Sequence, residues 1–179
     1  MDLAMNRTVI TLACCAACGL LAMPGLTQAQ ATTAAAADTR PGILRQLDGV
    51  WTMKGDVRGK PVTYRMVATP VLQGTFTELR MKDVAVPAQY EATVFVGYDA
   101  DNKTVIAHWM DSFGAKYSVP HGTGDIAGNV VTITIPYADG PFRNTWRFDP
   151  ATSSWQFALE AAQADGSWKH FARYAVTRK

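Results

Sequence analysis

The chain has 179 residues, 48% of them hydrophobic, with 17 Lys and Arg against 15 Asp and Glu. That length and apolar share suit one domain with a sizeable core, and they exclude a largely disordered chain. A net charge of +2, with no cluster of Lys or Arg, excludes an electrostatic footprint for nucleic acid.

The N-terminus reads as an export signal. Arg7 supplies a positive start, an apolar run extends from Thr8 to Met23, and Pro24-Gly25 breaks it. Ala29-Gln30-Ala31 then offers an Ala-x-Ala cleavage site. Met5 is a second candidate start, since Met5-Asn6-Arg7 makes a cleaner positive segment. The apolar run is shorter than the ~20 residues a membrane-spanning helix needs. Residues 1–31 are therefore assigned to a cleaved signal and the mature protein to the periplasm or the secreted fraction, with no span left after cleavage. Cys14, Cys15 and Cys18 all lie in this segment, so the mature domain has no cysteine. Disulfides, thiolate catalysis and Cys-based zinc or iron–sulfur sites are excluded from it. Cys18 lacks the leucine usual three residues upstream of a lipidated cysteine, which argues against a lipoprotein.

Residues 32–39 are low in complexity and read as a flexible leader, with the folded domain over 40–179. Asp38 or Thr39 is expected to cap a short helix with Pro41 in its first turn. Ile43, Leu44 and Leu47 share one face of it and Gly49 ends it. Such a segment ahead of a barrel is expected to plug one end.

From Gly49 onward, β-branched and aromatic runs alternate with turn residues. Strands are expected over 49–57, 61–70, 74–82, 89–98, 103–111, 116–124, 130–136, 142–149, 154–163 and 168–177. Tyr98-Asp99-Ala100-Asp101-Asn102, Asp125-Ile126-Ala127-Gly128-Asn129 and Ala164-Asp165-Gly166 are among the turn signals between them. No helix is long enough to make a parallel crossover. The fold class is all-β: a roughly ten-stranded antiparallel up-and-down barrel with a short plug helix, the alternative being a two-sheet sandwich. Alternation marks buried faces. These are Tyr90, Ala92, Val94, Val96 and Tyr98; Val131, Ile133 and Ile135; Phe142, Trp146 and Phe148; and Trp168, His170, Ala172, Tyr174 and Val176.

Standard catalytic signatures are missing from this sequence, and no catalytic residue, metal ligand or cofactor is assigned. Gly122-Thr123-Gly124-Asp125 has no helix after it and reads as a strand end, not a phosphate loop. His108 to His121 reads as a hairpin turning at Phe113-Gly114. That register puts His108 and His121 diagonally on one face with Ile106, Met110 and Tyr117, and this more apolar face is pointed inward. A one-residue bulge would reverse a histidine's side. His170 shares an apolar face near the C-terminus. It is either a hydrogen-bonded core histidine or, in a barrel cavity, an axial haem ligand. Glu78 and Arg80 share a face whose direction the pattern leaves open. The aromatic content suits an apolar ligand pocket, with Trp51, Tyr64, His108, Tyr117, His121, Trp146 and His170 as its candidate residues.

Five short motifs recur in order along the mature region. They are Leu47-Asp48-Gly49-Val50-Trp51, Gly74-Thr75-Phe76-Thr77-Glu78, Phe95-Val96-Gly97-Tyr98-Asp99, Trp109-Met110-Asp111-Ser112 and Gly122-Thr123-Gly124-Asp125-Ile126-Ala127-Gly128. In these motifs, residues 42 to 178 resemble the bacterial domain-of-unknown-function family 1579. The resemblance implies a calycin-like barrel, akin in shape to lipocalins and fatty-acid-binding proteins, and it implies no activity. The architecture is also similar to the haem-binding nitrobindin barrels, which use a histidine near the end of the last strand, a place comparable to His170. The expected function is an exported binding module for a small, largely apolar ligand. The alternatives are a haem protein using His170 and an envelope scaffold without a ligand.

Overall fold

The computed structural model describes residues 37–179. The signal segment 1–31 and residues 32–36 of the leader lie outside the described residues. A short helix α1 (Gly42–Arg45) precedes ten strands. These are β1 (Gly49–Val57), β2 (Lys60–Val71), β3 (Phe76–Asp83), β4 (Glu91–Asp99), β5 (Thr104–Asp111), β6 (Gly122–Ala127), β7 (Val130–Ile135), β8 (Phe142–Asp149), β9 (Ser154–Ala162) and β10 (Trp168–Arg178). Each strand pairs antiparallel with its sequence neighbours, and β1 pairs with β10 to close the barrel. The sandwich alternative falls, because closure leaves no second sheet. Closure also removes the open edges that an exposed sheet would present. No helix among the described residues is long and apolar enough to cross a membrane.

One strand is misplaced by the sequence reading. β6 starts at Gly122, and residues 112–121 form a loop with a 3-10 turn at Ala115–Tyr117. Pro120 has no N–H to give a ladder, which disfavours a strand through it. The turn expected from Asp125 narrows to Gly128-Asn129, with Gly128 at φ 57°, and the strand runs on to Ala127. At Gly124 β6 and β7 approach closely. A Cβ there would overlap the Thr132 carbonyl and lie 2.7 Å from the Ile133 Cα.

α1 plugs one end of the barrel, as expected. Leu44 and Leu47 are buried against Trp51 and Trp155. The Trp51 indole N–H donates to the Leu47 carbonyl at 2.6 Å, and that of Trp155 to the Gln46 carbonyl at 3.4 Å. Burying a leucine of this kind contributes about 1.5–3 kcal/mol. The expected cap is not formed: no side chain caps α1. Asp38 is instead drawn to Arg40, whose side chain is fully buried. The Arg40 guanidinium donates to Asp38 at 2.6 Å, to Asp48 at 2.7 Å and to the Thr77 hydroxyl at 2.6 Å. Hydrogen bonding from Arg40 holds the Asp38 carboxyl down at about 2. The plug is thus pinned to β3 by one arginine.

Because strands alternate in direction, β1, β3, β5, β7 and β9 all run away from the plug. Their ends, and the loops that follow them, form the opposite end of the barrel. The inward faces expected for β4 and β7, and the Phe142–Trp146–Phe148 face of β8, point into the core. On β10 the expectation holds only from Ala172 onward. A β-bulge between His170 and Ala172 inserts Phe171, whose carbonyl accepts the Arg58 N–H at 2.7 Å. The bulge turns Trp168 and His170 to the outer wall and brings Phe171 in. Glu78 and Arg80 lie on the outer wall of β3, paired at 3.0 Å.

Candidate ligand-binding cavity

The end of the barrel opposite the plug encloses a cavity of about 650 Å3. Its floor is aromatic. The Trp146 ring stacks on Phe157 at 3.7 Å, and Phe157 lies 5.7 Å from Tyr174. From there a wall of rings climbs to the mouth: Tyr174 to Tyr64 at 5.7 Å, Tyr64 to Tyr90 at 5.5 Å, Tyr90 to Phe113 at 5.7 Å. The facing wall runs from Tyr137 to Phe142 at 5.8 Å and on to Phe171 at 5.1 Å, with the Arg58 guanidinium 5.0 Å from the Phe171 ring centre. Met53, Met81, Ile135 and Leu159 fill the apolar remainder.

Few polar groups enter this space, and Asp111 is the one half-buried charge among them. The Asp111 carboxylate ends β5 at the cavity wall. It accepts the Tyr90 hydroxyl at 3.3 Å, the Trp109 indole N–H at 3.2 Å and the Phe113 backbone N–H at 3.0 Å. Burial, and after it the Asp111 charge, pushes the Tyr90 phenol up, and the same causes bring Tyr137 to about 12. Tyr64 and Tyr174 are also pushed up, first by burial. These phenols stay neutral at any physiological pH and act as hydroxyl groups. Asn144 lies on β8 between Phe142 and Trp146, is 3% exposed, and its Oδ1 has no hydrogen-bond partner. A buried amide oxygen left unpaired costs about 1–3 kcal/mol, and this one is covered by protein atoms rather than open to the cavity.

Of the seven residues expected at the site, the structure brings two to the cavity, Tyr64 and Tyr117. Tyr117 reaches the mouth from the loop and not from a strand. Trp51 and Trp146 are core residues of the plug end and floor, one step removed from the space. His108 and His121 do come together, with ring centres 5.7 Å apart, but both are exposed on the outer wall. The expectation that they face inward is overturned. Ile106 and Met110 made that face of β5 look the more apolar, whereas Val105, Ala107 and Trp109 are the residues buried. His170 is likewise outside, its Nε2 2.7 Å from Asp56 Oδ1. A haem held by a protein histidine needs an imidazole facing the cavity. None of the three histidines lines it, so these residues do not fit a haem held through His170.

Sequence reading missed Tyr90, Trp109, Asp111, Asn144, Phe157 and Phe171 as site residues. For Asn144 a signal existed: a polar residue on an otherwise apolar inward face, between Phe142 and Trp146. For Phe171 none existed, because the bulge that turns it inward leaves no mark in the alternation.

The fold and cavity define a closed up-and-down β-barrel, plugged at one end and open at the other to a small-molecule-sized, aromatic-lined space. The family model described as "Protein of unknown function (DUF1579)" matches residues 40–178, and the chain belongs to that family. Among solved structures, one similar to it is the crystal structure of Rv2717c from M. tuberculosis, at 14% identity and a TM-score of 0.54, covering 78% of this chain and 99% of that one. At that identity the likeness shows the barrel fold alone. No curated protein matches the chain.

Proposed function

We propose that the protein is a binding module that holds a small, largely apolar ligand in the open end of the barrel. The carrying observation is a cavity of about 650 Å3 walled by aromatic rings. That volume lies in the range of about 300–1,000 Å3 typical of ligand sites, and apolar walls with few placed polar groups are their usual composition. Phe113, a large exposed apolar residue on the loop after β5, lines the same opening, and an apolar molecule would meet it on entry.

We further propose that the binding takes place outside the cytoplasm, on the strength of the signal-like segment ahead of Ala31. Native mass spectrometry of the full-length gene product expressed with export tests both readings. The expected result is a mature chain beginning at Thr32 that carries an additional small mass, released on denaturation. A chain that keeps residues 1–31 would overturn the export reading. An apo mass that stays apo against a panel of small aromatic compounds would overturn the binding reading.

A further inference from the structure

The cavity's one half-buried charge is negative. Asp111 is half-buried among the Tyr90, Trp109 and Tyr137 rings, and among the described residues the lining holds two other charged groups, Arg58 and Asp139, both exposed at the mouth. We propose, resting on the binding reading above, that the ligand is an organic ammonium: an amine carried on an apolar body.

Two observations converge on this. Asp111 uses three acceptor positions on Tyr90, Trp109 and Phe113. An ionised carboxylate has about four, so one is left for a donor that arrives with the ligand. The aromatic faces around the mouth already attract cations: the Arg58 guanidinium lies 5.0 Å from the Phe171 centre, and the Lys116 ammonium 5.2 Å from that of Tyr117. A ring face draws an ammonium by its quadrupole, most strongly when water is excluded. A carboxylate ligand would meet the opposite conditions at depth. It would be repelled by Asp111 and left with Arg58, which is exposed and already set over Phe171.

The test uses three probes with one apolar body, 1-naphthylmethylammonium, 1-naphthylmethanol and 1-naphthoate, titrated calorimetrically into the purified protein near pH 7.5. The ammonium is expected to bind about ten-fold tighter than the carboxylate, with the alcohol between them. In Asp111→Asn, which keeps an acceptor for the Phe113 N–H, the ammonium is expected to lose its advantage over the alcohol and the carboxylate. Equal or tighter binding of the carboxylate in the wild type overturns the ammonium inference and leaves the binding reading standing, since the cavity is then shown to hold the naphthyl body. Binding of none of the three overturns both. The wild-type ranking decides the inference even where the variant folds poorly.

Discussion

The Arg40 side chain ties the plug to β3. It is fully buried and touches Asp38, Asp48 and Thr77. Arg40→Met keeps the apolar stem and deletes the charge, leaving both carboxylates without their partner. The two aspartates are about a third exposed, at 34% and 31%, so water offsets part of the loss. The expected destabilisation is about 1–3 kcal/mol, read from chemical denaturation. Asp38 adds a pH dependence. Its folded value of about 2 lies below the ordinary 3.8, so the unfolded chain binds the proton more readily. Its contribution is present above about pH 4 and is lost as pH falls toward 2. Asp56, Asp99, Asp149 and Asp165 are held low by side-chain hydrogen bonds too. The variant Asp38→Asn isolates the one that matters for the plug. Melting temperatures of wild type and variant are expected to differ at pH 6 and converge by pH 2. A difference that persists unchanged to pH 2 would show that the Asp38 carboxylate does not stabilise the plug.

The elements differ in how openly they are written. Strands such as β7 and β8 carry a period-two pattern with Ile or Phe on one side and Thr or Arg on the other, and one face pointing into a closed barrel enforces it. The helix of the plug is legible from Pro41, Leu44 and Leu47 for the same reason: each has one place to go. β6 is only partly legible: Gly122-Thr123-Gly124-Asp125 reads as the end of a strand over 116–124, whereas it begins one that runs from Gly122 to Ala127, pressed against β7. Gly124→Ala tests that reading. A methyl group would strike the Thr132 carbonyl and force β6 and β7 apart. The expected cost is about 1–3 kcal/mol in denaturant titration. A neutral substitution would mean that the close approach of these strands is not required. The bulge at Phe171 is the other hidden element. It reverses Trp168 and His170 relative to Ala172, and that reversal takes the last-strand histidine out of the cavity.

At the scale of the whole molecule, the barrel was readable from ten short runs and their turns, whereas the site was not. A strand pattern reports which face is apolar, and it does so well when one face is plainly polar. Where both faces carry large apolar side chains, as on β5, the choice rests on the loop geometry beyond the strand, which composition does not encode. The cavity exists because the plug fills one end with Leu44, Leu47 and Trp51, while the other end is ringed by side chains that reach around a space without filling it. The most direct test is to fill that space. Leu159 lines the cavity from β9 and is half-buried. We would titrate 1-naphthylmethanol into wild type and Leu159→Trp, and confirm by circular dichroism that the variant keeps its β-signature. The barrel-end account predicts that uptake is weakened in the folded variant. Uptake of the alcohol with unchanged affinity would place the ligand elsewhere and contradict it.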